Sequence, residues 1–142
     1  MLRVVIDPGV WIAAVISPHG APAALLQHWM RGDFEVVVSP KLLEELESVL
    51  RRQKFRKYLS EREATEYADL LRRFASVHKD PPEQHGLTPD PGDDYLVSLA
   101  RVADVHFRVS GDPHLTELSA PIPPVLKPRL FLTKIQEEIV PR

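Results

Sequence analysis

The sequence predicts an α/β fold, a parallel sheet of four or five strands with helices on both faces. Three observations point to it. Leu2, Val4, Val5 and Ile6 form a run too apolar to alternate faces, the mark of a strand buried on both sides. Amphipathic stretches alternate with such runs, the order expected when crossover helices join parallel strands. The 14 prolines fall largely between apolar segments, where they end elements.

The first strand ends on Asp7, and Pro8-Gly9 is expected to turn the chain into a short helix over Val10 to Ile16. Ser17-Pro18-His19-Gly20 breaks it, and Ala21 to Arg31 reads as a second helix with Leu25, Leu26 and Trp29 on one face. After Gly32-Asp33, Phe34 to Val38 is a second buried strand. Ser39-Pro40 supplies a cap and a first-turn proline for a helix whose apolar stripe is Leu42, Leu43, Leu46, Val49 and Leu50. Ser60 and Glu63 make a capping box that opens a helix to about Phe74, with Ala64, Tyr67, Leu70, Leu71 and Phe74 inward.

A short third strand is expected near Ala75 to His78, then a loop over residues 80–92. The helix that follows, Asp93 to Ala103, carries Leu96, Leu99, Ala100 and Ala103. Val105, Phe107 and Val109 alternate as a fourth strand ending at Ser110-Gly111-Asp112. Asp112 to Leu118 is expected to start a short helix and Val125-Leu126 to form a fifth strand. A last helix, Pro128 to Val140, has Leu130, Phe131, Ile135 and Ile139 apolar.

At 142 residues the chain fits one domain, 1–142, with room for a sizeable core. Its formal charge of −2 gives no global attraction to a polyanion, so any such contact must rest on a local patch. The strongest patch is Arg51, Arg52, Lys54, Arg56 and Lys57 around Phe55, a weak candidate for RNA-backbone contact that reads equally well as a solvated helix end. The absence of cysteine excludes thiolate chemistry and disulfides. No secretory segment precedes residue 20 and no apolar stretch approaches about 18 residues. The expectation is therefore a cytoplasmic protein without a membrane partner, whose fold begins directly at Met1-Leu2-Arg3.

Four carboxylates stand at structurally marked places. Asp7 follows the first strand and Asp112 the fourth, and in open α/β sheets the ligand crevice lies beyond the carboxyl ends of the strands. Glu45 stands three residues after Leu42 and four before Val49, inside the expected buried stripe, whereas Glu44 and Glu47 lie off it. The fourth is an aspartate opening the helix near residue 93. Asp93 has Leu96, Val97 and Ala100 as helical neighbours, the apolar side. Asp94 has Val97, Ser98 and Arg101, the more polar side, and Asp90 lies before the helix as a supplementary or water-mediated ligand.

Like charges brought together require a cation, and oxygen-only ligation suits Mg2+ or Mn2+ rather than zinc. Of the six scattered histidines, only His114 is near the expected site. On this reading Asp7→Asn relieves repulsion and leaves the metal-free fold intact or more stable.

Taken in order, four segments carry a family resemblance: Val4-Val5-Ile6-Asp7, Ser39-Pro40-Lys41-Leu42-Leu43-Glu44-Glu45-Leu46, Asp90-Pro91-Gly92-Asp93-Asp94-Tyr95-Leu96 and Val109-Ser110-Gly111-Asp112-Pro113-His114-Leu115. The chain resembles the PIN domain, and within it the PIN-family toxins of bacterial toxin–antitoxin systems. That resemblance implies a three-layer α/β/α sandwich and a Mg2+- or Mn2+-dependent endoribonuclease acting on single-stranded RNA. It also implies a protein antitoxin as partner, with a homodimer as a possible assembly.

Asp7, Glu45, Asp93 and Asp112 are then the catalytic set, with Asp7, Asp93, Asp112 and Asp90 toward the metal and Ser110 and Gly9 in support. One departure stands out. The family often follows its first aspartate with Thr-Asn or another small polar residue, where this chain has Pro8-Gly9 and offers only the Gly9 backbone N–H. A rival from another class, a PIN fold without catalysis that acts as an RNA- or protein-binding module, draws on that departure. Four retained acids argue against it, since a carboxylate cluster with no cation is destabilising.

Overall fold

β1 (Arg3–Ile6) is the central strand of a five-stranded sheet in the computed structural model, which describes residues 1–82, 86–87, 92, 94–112 and 123–139. β2 (Glu35–Val38), β3 (Ser76–Val77), β4 (Phe107–Val109) and β5 (Val125–Leu126) complete it in the order β3-β2-β1-β4-β5, every pairing parallel. Val4, Val5 and Ile6 are all buried, as are Val36, Val37 and Val38. Because successive side chains point to opposite faces, unbroken burial means that both faces are covered. The chain steps from β1 to β2 to β3 on one side and then returns past β1 to β4 and β5. That reversal leaves a crevice between the carboxyl ends of β1 and β4.

The helices among the described residues are α1 (Pro8–Ile16), α2 (Ala21–Met30), α3 (Pro40–Leu50), α4 (Glu61–Phe74), α5 (Asp94–Val102) and α6 (Pro128–Ile139), with a 3-10 turn at Gln53–Phe55. α1 packs on α2 and α3, α3 on α4, α2 on α6, and α5 on β1, completing the expected three-layer α/β/α arrangement. Among the described residues no single helix is long and apolar enough to cross a membrane.

Local chemistry sets the element ends close to where the sequence puts them. The Ser39 hydroxyl accepts the Leu42 N–H at 3.3 Å to start α3. Ser60 and Glu63 form the reciprocal capping box of α4, and the hydrogen bonds from Ser60 hold the Glu63 carboxyl below its usual range. Pro8-Gly9 is a correction: it does not turn the chain but forms the first turn of α1, with proline at the position where its missing N–H costs nothing.

The inward stripes also shift at their ends. In α4 the buried residues are Ala64, Ala68 and Leu71, and Phe74, in the last turn, is 61% exposed. In α6 Phe131, Leu132 and Ile135 take the inner face and leave Leu130 outside. A perpendicular contact of Phe34 with Phe131, ring centres 5.1 Å apart, fastens α6 to the core. The helix expected after Asp112, and with it His114, lies outside the described residues, as do Asp90 and Asp93.

Candidate active site

Three strand ends deliver the site. Asp7 leaves β1, Ser110-Gly111-Asp112 leaves β4, and Glu45 stands one turn into the helix that follows β2. Ile6 pairs with Val109 across the sheet and the Asp7 N–H donates to the Val109 carbonyl at 2.9 Å, which sets Asp7 beside Ser110. The indole N–H of Trp11 donates to the Ile6 carbonyl at 3.2 Å and so fixes the strand end from the side. Trp11 itself is wedged edge-on against Trp29, and the Tyr67 hydroxyl donates to its carbonyl. Burial pushes that phenol's pKa well above its ordinary value, so the donor keeps its proton. Asp7, Gly9, Glu45, Ser110, Gly111 and Asp112 line one cavity of about 440 Å³.

The two acids nearest the sheet differ in their partners. Asp7 is the N-terminal flanking residue of α1, yet its carboxylate caps no backbone N–H. Both of its oxygens are engaged by Arg108, Nε to Oδ1 at 2.7 Å and an Nη to Oδ2 at 3.0 Å. The register explains the meeting. Arg108 pairs with Val5, Asp7 lies two residues further along the same strand direction, and the period of two puts all three side chains on one face. Arg108 is 2% exposed.

The alternation of Val105, Phe107 and Val109 says nothing of this partner. A cation between two apolar strand residues, in a sheet covered on both faces, was the signal available, since a buried charge needs a counter-charge. The expected sign of Asp7→Asn is corrected accordingly. The substitution removes no net repulsion; it strands a buried guanidinium.

Glu45 is also corrected. The stripe of α3 is as expected in Leu42, Leu43, Leu46 and Leu50, with Val49 partly buried, but Glu45 is exposed. It sits where the stripe meets the open mouth of the crevice, so its charge stays in contact with water and carries little desolvation cost. The Tyr95 hydroxyl, from the first turn of α5, donates to its Oε2. The Lys41 ammonium lies 4.7 Å above the Tyr95 ring, and the Lys41 N–H donates to Asp80 at 3.0 Å. Tyr95 had no sequence signal, because only the tertiary fold brings it to Glu45.

At the start of α5, Asp94 is 3% exposed and accepts the Gly86 N–H at 3.1 Å. Asp94, expected on the more polar side, is thus buried, and Gly86, eight residues earlier, supplies a donor. Ser110 is buried, and its hydroxyl accepts the Asp112 N–H at 3.1 Å, so it shapes the turn that presents Asp112.

The basic run is largely engaged locally. Arg56 donates to the carbonyls of Leu50, Arg52 and Leu59, closing the end of α3. Arg51 reaches Thr65 and Glu47, while Lys54 and Lys57 lie over the rings of Phe55 and Tyr58. None of Arg51, Arg52, Lys54, Arg56 and Lys57 is among the residues that line the cavity.

In donor chemistry the described lining fits a hard divalent cation, its side-chain donors being carboxylate and hydroxyl oxygen. Each Asp7 oxygen gives one lone pair to Arg108 and retains another. Among the described residues, however, no three histidine or acidic side chains are grouped closely enough to hold a metal ion.

Comparison with known proteins agrees with the fold. The solved structures that resemble this one include PAE2754 from Pyrobaculum aerophilum, with a TM-score of 0.68 at 12% identity over 96% of this chain and 90% of that one. No curated protein matches the sequence. The family model described as PIN domain matches residues 3–114, a span that holds Asp7, Glu45, Asp94, Arg108 and Asp112. With that match over most of its length, the chain belongs to the PIN domain family.

Proposed function

We propose that this protein is a Mg2+- or Mn2+-dependent endoribonuclease that hydrolyses phosphodiester bonds of single-stranded RNA, as the toxin of a cytoplasmic toxin–antitoxin pair with a protein antitoxin. PIN domains are generally metal-dependent nucleases, and nuclease chemistry is what family membership supports at the coarse level. The observation that supports the metal-dependent part of this reading is the meeting of Asp7, Glu45 and Asp112 around one cavity at the switch point of the sheet. Asp7 and Asp112 would hold the cation together with Asp93, and Asp90 directly or through water. When bound, such an ion supplies charge stabilisation at the phosphate and a more acidic water.

The chain's own residues divide the remaining work. Glu45, open to solvent and oriented by the Tyr95 hydroxyl, takes a proton from the attacking water on its carboxylate. Ser110 keeps the Asp112 turn in place, and Gly9 leaves the approach beside Asp7 uncrowded. The experiment is cleavage of a labelled single-stranded RNA with and without chelator. Activity that stops with chelator and returns with Mn2+, and that is lost in Asp112→Asn and Asp93→Asn, is the expected result. Cleavage indifferent to chelation overturns the metal mechanism.

The pairing of Asp7 with Arg108 favours a second reading, a PIN fold with weakened catalysis that binds RNA or protein. It predicts RNA retention without turnover in the same assay.

A further inference from the structure

Arg108 is a strand residue in the middle of the core whose whole side chain is directed at one carboxylate of the candidate site. We propose that Arg108 is a resident counter-ion of Asp7 that positions its carboxylate and sets the cation affinity of the cavity, holding it well below what the acids alone would give. The inference rests on the metal-dependent reading above. Its geometry is independent of it: both Asp7 oxygens are engaged, at 2.7 and 3.0 Å, by a guanidinium that is 2% exposed.

Two physical consequences follow. A forked, two-bond contact fixes the plane of the carboxylate, so the lone pairs left for a ligand point in one set of directions. A cation that shares those oxygens also stands within a few ångströms of a fixed positive charge that cannot withdraw, because β4 is buried and both faces of the sheet are covered. Arg108 also removes the need for a metal in folding, since it already offsets the charge of Asp7. The site is thereby suited to a cation that arrives with, or is completed by, an anionic phosphate, which restores the balance Arg108 upsets.

The test is titration of Mn2+ alone by calorimetry into the wild-type protein, Arg108→Met, Arg108→Gln and Arg108→Lys, with melting temperatures in chelator and in Mn2+. The neutral variants should bind Mn2+ about ten- to a hundredfold more tightly, the scale on which groups behind a ligand alter metal affinity. They should melt lower than wild type in chelator and recover with Mn2+. Arg108→Lys, which keeps the charge, should stay near the wild-type affinity.

Should the neutral variants fail to fold, the wild type still decides the matter. In a Mg2+ titration followed by NMR, the Arg108 Nε–H signal should shift along the binding isotherm, and a signal that stays still while Mg2+ binds overturns the proposal. If wild type binds Mn2+ and the neutral variants bind it no better, the role of Arg108 falls and the nuclease reading stands. If none of the proteins binds Mn2+, both fall together.

Discussion

Asp7 and Glu45 face the same cavity but are held by opposite means. Asp7 is buried and gripped at both oxygens by a side chain 101 residues away, whereas Glu45 is exposed and touched by one hydroxyl. The difference separates two tasks that a list of acidic residues conflates. A carboxylate inside the sheet must be neutralised for the chain to fold at all, so its partner is part of the structure. One at the rim can remain charged in water, and its partner only orients it.

The largest expected effect breaks that comparison at the Asp7 end. Asp7→Asn should lower stability by roughly 3–5 kcal/mol, the cost of leaving a buried charge without its partner, while Glu45→Gln should stay within about 0.5 kcal/mol. Urea unfolding without added metal measures both. Combining Asp7→Asn with Arg108→Met should cost much less than the sum of the two, and a double-mutant cycle that came out additive would show that the pair is not energetically coupled.

This asymmetry also marks how far the sequence could be read. β1 and β2 were legible because burial on both faces writes itself as continuous apolar runs, β4 by the alternation of Val105, Phe107 and Val109, and the acids Asp7 and Asp112 by their places just past β1 and β4. Glu45 was legible by register but not by exposure: periodicity says which way a side chain points and not where the layer above it ends. Arg108 and Tyr95 were missed because each acts through a partner 101 or 50 residues away, and that partner exists only after the strands are ordered. At Asp94 the local pattern misled, since Val97, Ser98 and Arg101 look polar while Asp94 and Ser98 are both buried in the folded chain.

Asp94 supplies an intermediate case, a buried acid that accepts a backbone N–H. Asp94→Ala leaves the Gly86 N–H without this acceptor and should cost about 1–3 kcal/mol, less than Asp7→Asn and more than any change at Glu45. If its cost equalled that of Asp7→Asn, the forked Arg108 contact would not be what sets Asp7 apart.

Tyr95→Phe sharpens the Glu45 side. It removes one hydrogen bond to an exposed carboxylate, so stability should change by less than about 1 kcal/mol. Under the proposed function the RNA cleavage rate should nevertheless fall, because Glu45 loses its orientation while keeping its charge. An unchanged rate would mean that Glu45 needs no positioning, or that it has no part in proton transfer.

The smallest expected change lies at Gly9, which lines the same cavity as the two acids. It is exposed in the first turn of α1, its backbone is outside the left-handed region, and a Cβ built on it meets no heavy atom within 4 Å. Gly9→Asn is therefore strain-free, and the lower backbone entropy of asparagine in the unfolded chain should raise stability by a few tenths of a kcal/mol. The new amide brings a neutral oxygen to the rim beside Asp7, the kind of polar group that Pro8-Gly9 lacks. Mn2+ should bind more tightly than to wild type, but by less than in Arg108→Met, because a neutral donor adds a ligand without removing the fixed positive charge behind Asp7. Calorimetry on the two single variants and their combination ranks these contributions. Unchanged affinity in Gly9→Asn beside a gain in Arg108→Met would show that the limit on cation binding lies in the buried pair and not in the missing side chain.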